Sequence, residues 1–344
     1  MSENDTQDRK DSSVLQRLHP GRLYTIQKPM MRVVLATLPA IAGSVYFFGW
    51  RVLAVLSVAI VLGTATEWAF CRRRGEKVSS AVLVSAILLA LTLPPTVPFS
   101  VVAVGIIVAI LFGKEVFGGF GRNVYNPALV GRAFIYVCFP VAMTGRWVES
   151  FAGLPGGLAR WAPGADAVTR ATPLAIIKTG GDPPGLWRLA VGNVGGSLGE
   201  TSAILILVGG IYLMLTKTAS WKVILACVTG GVAFSALFGW IIGSDPAAGP
   251  LVTVLSGGFL FGSLFMATDP ISAPKTDPGK YIYGIGIGGL TVIIRAFSNF
   301  PGGIMFAILL MNTFAPITDH YVREYQKSSK GIGASGDGGR EDEK

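Results

Sequence analysis

Between residues 33 and 316 the chain is a succession of apolar runs separated by short polar connections, and that repetition permits few kinds of fold. A bilayer core about 30 Å thick takes about 20 apolar residues per helix. Residues 33–50, 52–71, 221–242 and 250–267 supply that length. Shorter runs at 80–93, 99–112, 127–143, 201–215, 281–297 and 301–316 bring the expected number of spans to ten. Composition agrees: 51% of residues are hydrophobic and 14% charged, outside the soluble range. The expected class is an all-α polytopic membrane protein in contact with lipid. Ser2–Asp11 is polar and has no apolar h-region, so a cleavable signal peptide is not expected.

Arginine and lysine set the orientation. An even span count puts both termini on one side. The tails and loops of that side hold Arg17, Arg22, Lys28, Arg32, Arg72–Arg74, Lys77, Lys114, Arg122, Lys217, Lys222, Lys275, Lys280 and Arg323. The opposite loops hold few cations, with Arg51 the main exception and Arg295 near a helix end. The positive-inside rule then makes both termini cytoplasmic, and the net charge of +9 reflects this bias rather than affinity for nucleic acid.

The longest connection, residues 144–200, follows the fifth span and therefore lies outside. Its Gly and Pro content (Leu154-Pro-Gly-Gly, Gly180-Gly-Asp-Pro-Pro-Gly185) predicts turns with little regular structure, and Trp147, Trp161 and Trp187 suit a membrane interface. It carries the string Asp166-Ala-Val-Thr169-Arg170-Ala171-Thr172-Pro173. Taken alone, Thr172 reads as a turn or helix-cap threonine ahead of a proline.

The two halves of the chain are alike. Leu91-Thr92-Leu-Pro94-Pro95 closes the third span and Met266-Ala-Thr268-Asp269-Pro270 the eighth, while Asn126-Pro127 and Asn299-Phe-Pro301 open the fifth and tenth. Pro95 to Pro127 is 32 residues and Pro270 to Pro301 is 31. Five spans per half require an inverted repeat, with residues 33–143 and 201–316 as the two membrane halves, 1–32 and 317–344 as cytoplasmic ends, and 144–200 as the external loop. Arg132-Ala-Phe and Arg295-Ala-Phe fall in non-equivalent spans and read as coincidence. Fourteen helical residues reach only about 21 Å, so the Pro-stopped third and eighth spans are either broken segments that bring Thr92, Pro94, Thr268 and Asp269 to a site or ordinary short spans with interfacial loops. Glu67, Arg132 and Arg295 are charges within or beside apolar runs, functional candidates by default. For Glu67 the nearby Arg72–Arg74 cluster favours a snorkelling or paired structural role.

Familiar catalytic constellations are missing. Cys71, Cys138 and Cys227 are too few for a four-ligand iron–sulfur cluster, and His19 and His320 lie outside the spans, where they cannot hold a membrane haem. No Walker motif or metal-ligand pair occurs, and Gly118-Gly119-Phe-Gly121 reads as a packing turn. The inverted repeat alone fits a solute transporter or channel equally well.

Three strings carry a resemblance: Gly121-Arg-Asn123-Val-Tyr-Asn126-Pro127-Ala-Leu-Val-Gly-Arg132-Ala-Phe, Ala171-Thr172-Pro173-Leu-Ala, and Phe265-Met-Ala-Thr268-Asp269-Pro270-Ile-Ser-Ala-Pro. From about residue 25 to 325 the chain resembles the NqrB/RnfD family, which serves the ion-translocating Rnf electron transport complex and the sodium-pumping quinone reductase, its short N-terminal tail fitting the Rnf branch. The resemblance implies a membrane flavoprotein subunit of a translocase coupling ferredoxin/NAD electron transfer to Na+ or H+ transport. It implies FMN joined covalently to Thr172 by a flavin transferase, with Asp166, Thr169 and Ala171 as recognition positions. Arg170 departs from the usual small residue. It further implies the other Rnf complex subunits as partners, residence in the bacterial inner membrane, and a second, non-covalent flavin such as riboflavin, placed here near Asn123, Asn126, Thr268 and Asp269. With no dinucleotide fold in the chain, NAD would bind elsewhere in the complex.

Overall fold

A computed structural model describes residues 24–145, 147–151, 153, 155–162, 172–242, 249–298 and 302–335. Helix dominates, and all ten expected runs coincide with helical segments. The first half comprises α1 (Lys28–Phe48), α2 (Arg51–Arg74), α3 (Ala81–Leu91), α4 (Phe99–Ile110, ending in a π-turn at Leu111–Glu115) and α5 (Pro127–Cys138), followed by the short α6 (Pro140–Thr144). The second half comprises α9 (Ala203–Leu215), α10 (Trp221–Ile242), α11 (Pro250–Leu255), α12 (Phe259–Phe261, running into a π-turn at Gly262–Met266), α13 (Asp277–Phe297) and α14 (Ile304–Ser335). One two-residue parallel pairing, β1 (Tyr24–Thr25) with β2 (Val78–Ser79), ties the start of the described chain to the end of α2. Four helices, α1, α2, α10 and α13, are long and apolar enough to cross a membrane singly.

Local chemistry sets the boundaries. Asn126 caps α5 by accepting from the Ala128 amide at 3.1 Å, with Pro127 in the first turn, where its missing N–H costs nothing. α2 stops at Gly75, left-handed at φ 68°, and Arg72–Arg74 occupy its last turn against the negative helix end. α3 is apolar on every face and almost wholly buried. Such a helix belongs inside protein, not against lipid. The lipid-facing surface falls to others: Val61 on α2, Leu215 on α9 and Trp240 on α10 are exposed.

The halves repeat one packing scheme. In each, the second span packs on the third and fourth, the fourth on the fifth, and the third on the first and fifth. The halves meet first span to first span (α1 with α9) and fifth to fifth (α5 with α14). At the α1–α9 crossing a Cβ on Gly209 would lie 2.1 Å from the Ala36 carbonyl oxygen, so only glycine permits this approach. Polar contacts repeat as well. Arg51, opening the second span of the first half, donates to the carbonyls of Pro95 and Val97 ahead of α4; Lys222, opening the equivalent span, pairs with Asp277 at the start of α13.

Two expectations are corrected and a third is refined. The run 250–267 is not one helix: Gly257 (φ 61°) and Gly258 (φ 71°) are left-handed and split it into α11 and α12. The last span does not stop at Pro316, because α14 continues through it to Ser335. Residues 144–200 are irregular over most of their described length, as expected, but add three short elements, a 3-10 turn at Gly156–Ala159, α7 (Pro173–Lys178) and α8 (Leu186–Val191), each opened by Pro, Gly or Thr at a capping position.

Candidate functional site

Two cavities gather most of the residues singled out in the sequence. The larger, about 1300 Å³ including its open mouth, lies between α5, α7 and the break joining α11 to α12. Thr172 is on its wall as the N-cap of α7, its Oγ1 accepting from the Ala175 amide at 3.3 Å, with Pro173 following. The cap reading of this threonine is therefore realised, and it leaves the hydroxyl beside the cavity. Asp166, Thr169, Arg170 and Ala171 lie outside the described residues, as does the Asn299–Pro301 string.

Charge converges on this cavity. Arg132 of α5 reaches Glu200 at 2.9 Å, both largely buried. Glu200 in turn presses on Gly258, where a Cβ would stand 2.5 Å from the carboxylate. Arg295, buried on α13, donates to the carbonyls of Thr253 (2.6 Å), Ser256 (2.9 Å) and Gly257 (3.3 Å), occupying the acceptors that the end of α11 leaves free. Arg132 lines the cleft, whereas Arg295 stands behind its wall, bonded to the backbone of Ser256 and Gly257, which do line it. Two atoms there lack a partner: Arg132 Nε and Ser256 Oγ are buried and unbonded, on residues lining the cavity. Both atoms are enclosed by protein with almost no accessible surface, so what these residues turn to the cavity is the rest of their side chains and backbone.

The second cavity is a narrow crevice, about 670 Å³ only when its open mouth is included, in which Asn123, Asn126, Thr268 and Asp269 meet, joined by Lys114 and Phe120. The structure therefore brings these four sequence-selected residues together from opposite halves. Asn126 Nδ2 donates to the Met266 carbonyl at 3.3 Å and Asn123 Nδ2 to the Tyr125 carbonyl at 3.0 Å. Thr268 is turned back on its own helix, donating to the Leu264 carbonyl at 2.7 Å. Asp269 fixes the following turn, accepting from the Ile271 amide (3.2 Å) and the Ser272 hydroxyl (3.0 Å). Both π-turns reach this crevice, through Lys114 and Phe265. Such turns recur at functional sites because they redirect consecutive side chains.

Glu67 corrects its expectation in one respect. It is paired, but with Lys114 at 2.6 Å rather than with the arginine cluster. Lys114, read from sequence as a loop cation, is 2% exposed and also donates to Ser79 Oγ at 2.7 Å. Gly118, Gly119 and Gly121 all have positive φ, and a Cβ on the first two would stand 3.0 Å from Arg122 and 3.1 Å from Arg74, so the string makes a tightly packed turn as read. The sequence reading missed Glu200, Ser256 and the Gly257–Gly258 break. Ser-Gly-Gly inside an apolar run is a breaker signal that could have found the last two. Among the described residues no group of three or more His, Cys, Asp or Glu side chains is placed to hold a metal.

Comparison with known proteins bears on this arrangement. A profile described as the NQR2, RnfD, RnfE family matches residues 17–327. A Na(+)-translocating NADH-quinone reductase subunit of Pseudomonas aeruginosa (strain LESB58) is 40% identical over 299 residues, covering 82% of this chain and 68% of the relative. The same reductase component of Chromohalobacter salexigens is 39% identical over 295 residues, 82% of this chain and 66% of the relative. That of Azotobacter vinelandii is 39% identical over 295 residues, 82% and 68% respectively.

Proposed function

The chain belongs to the NQR2, RnfD, RnfE family, and from that premise we propose that it is a membrane flavoprotein subunit of an ion-translocating oxidoreductase, carrying FMN as a phosphoester on Thr172. The observation that carries this reading is Thr172 on the wall of a cavity that Arg132, held by Glu200 at 2.9 Å, also lines. FMN supplies the redox chemistry when bound. The chain's residues bind and orient: Thr172 anchors, the Arg132 side chain on the cavity wall supplies a positive charge for the phosphate, and Glu200 holds Arg132 in place. The crevice lined by Asn123, Asn126, Thr268 and Asp269 is the proposed seat of a second, non-covalent flavin such as riboflavin.

The flavin is attached by a transferase acting on the loop that holds Asp166, Thr169 and Ala171. By the arginine and lysine distribution, this loop is external and both termini are cytoplasmic, in a bacterial inner membrane. Other subunits of the complex bind the soluble electron carriers. On the Rnf reading the complex couples ferredoxin and NAD to Na+ or H+ transport. The relatives, named as parts of a Na(+)-translocating NADH-quinone reductase, favour a second reading in which NADH and a quinone are the carriers. Ferredoxin-driven NAD reduction against NADH-driven quinone reduction, assayed in vesicles, separates the two.

The test of the flavin itself is intact-protein mass after expression with a flavin transferase. Thr172→Ala is expected to insert but lose the FMN increment and the in-gel flavin fluorescence of the denatured band. An adduct that survives this substitution would falsify the assignment.

A further inference from the structure

A shallow groove, about 700 Å³ including its wide mouth, lies on the outer face of α2 near its polar end. Val61, Ala65 and Trp68 line it from the helix, and Tyr24 and Val78 close it through the β1–β2 pairing. Val61, Ala65, Trp68 and Arg72 recur at helical spacing and therefore share one face. All four are exposed, and α2 is long and apolar enough to span a membrane, so this face meets lipid. Ala65 is the small residue that leaves the hollow between Val61 and Trp68. From Val61 to Arg72 the helix rises about 16 Å, roughly half of a bilayer core about 30 Å thick, which is the depth of one leaflet.

Along that face the chemistry is ordered by depth: aliphatic at Val61 and Ala65, aromatic at Trp68, cationic at Arg72. The Arg72 guanidinium stands 5.3 Å from the centre of the Trp68 ring, a cation–π contact that holds it at the level where tryptophans mark the membrane interface. Its neighbours are accounted for differently. Arg74 pairs with Glu76 and Glu115, and Lys114 with Glu67. Among the described residues neither Arg72 nor Arg73 has an acidic partner, and both are exposed. Lys77 and Arg122 add further positive charge, so the acids at this end of α2 leave a surplus of cations beside the groove. The negative helix end accounts for a cation here, but not for a lipid-facing hollow that leads up to it. A guanidinium without a carboxylate suits a phosphate, to which it can give two parallel N–H bonds.

We propose that this groove binds one anionic phospholipid, with an acyl chain along Val61, Ala65 and Trp68 and the phosphate against Arg72 and Arg73. A neutral tail would fill the hollow and leave both arginines unanswered. A helix of another protein, about 10 Å across with its side chains, is too broad for a hollow opened by one alanine. The site lies apart from both flavin cavities and stands without the flavin reading.

The test is native mass spectrometry of the purified full chain in neutral detergent, titrated with dioleoyl phosphatidylglycerol or with dioleoyl phosphatidylcholine. Wild type is expected to retain one phosphatidylglycerol at concentrations where phosphatidylcholine is lost. Removing both cations in Arg72→Gln/Arg73→Gln should weaken phosphatidylglycerol binding by about tenfold or more. Ala65→Trp fills the hollow with every charge in place and should weaken it as much. Should Ala65→Trp fail to insert, Val61→Trp fills the same hollow from a position that is 62% exposed. Arg323→Gln/Lys327→Gln removes two exposed cations from α14 and should bind as wild type does. Equal retention of the two lipids by wild type overturns the proposal. So does undiminished phosphatidylglycerol binding in the groove-filled variants, which would show attraction to surface charge alone, or an equal loss in the α14 control.

Discussion

Removing either partner of the Glu67–Lys114 pair strands a charge. The two side chains are 1% and 2% exposed and 2.6 Å apart, so neither has water to fall back on. Breaking a buried pair from one side costs about 3–5 kcal/mol, because the remaining charge loses its compensation while its desolvation persists. Glu67→Gln should therefore destabilise by about 3 kcal/mol, at the low end because an amide oxygen still accepts from the Ser79 amide and Lys114 retains the Ser79 hydroxyl. Lys114→Met should cost about 4 kcal/mol, since Glu67 then keeps only the Ser79 amide. The double variant removes both charges and should fall within about 1 kcal/mol of wild type, because replacing a buried pair whole is often neutral. Unfolding of the purified chain by SDS, followed by circular dichroism, measures all four corners of the cycle. Single variants that each lose under about 1 kcal/mol and add without coupling would refute this reasoning, for they would show a pair solvated through the neighbouring cavity.

Topology follows from the arginine and lysine distribution: a cysteine placed at Gly181 should react with an impermeant reagent in intact cells, and one at Ser328 only after lysis. Reversed labelling would sink the external-flavin reading. Asp269→Asn should keep the Thr172 flavin yet impair ion-dependent electron transfer in vesicles; an unchanged rate and ion dependence would leave Asp269 as the fixer of its turn alone. Asp319 lies beyond the apolar part of α14 and accepts from the Lys275 amide (2.8 Å), the Thr276 amide (3.0 Å) and the Thr276 hydroxyl (2.6 Å). Partial burial would raise its pKa, but these hydrogen bonds, with Arg323 nearby, outweigh it and hold the carboxyl below its ordinary value. A depressed folded-state pKa gives stability that is present above the unfolded value and lost as pH falls through the folded one. Thermal stability should therefore drop below about pH 4 in wild type, and Asp319→Asn should be less stable at neutral pH with a shallower acid loss.

Much of the fold was legible because the signals are local. Apolar run length marked the ten segments, and Pro95, Pro127 and Pro270 marked the repeat. Asn126-Pro127 is a cap that works through its own neighbours. What escaped depends on contacts distant in sequence. Glu200 reads as an ordinary loop acid until Arg132, 68 positions away, reaches it. Lys114 reads as a cytoplasmic loop charge because it stands at the end of an apolar run, and only the π-turn, which sequence does not announce, carries it inward. The break at Ser256–Gly258 was hidden by hydropathy, since two glycines barely lower the average of a strongly apolar run. The site residues divide the same way: Asn123, Asn126, Thr268 and Asp269 were selected by motif and do meet in one crevice, whereas the Arg132–Glu200 pair joins the Thr172 cavity only through a contact distant in sequence.

The cavity beside Thr172 takes walls from both halves of the chain, from Arg132 and Tyr136 to Gly258 and Gly302. This has a consequence for biosynthesis. Thr172 leaves the ribosome about 130 residues ahead of Gly302, which at 5–20 residues per second is a delay of roughly ten seconds. Until α11, α12 and α13 have inserted, the threonine is on a loop with no enclosure behind it. A modifying enzyme acting in that interval meets an open substrate. One acting later meets a hydroxyl already engaged as the cap of α7, at the mouth of a finished cleft.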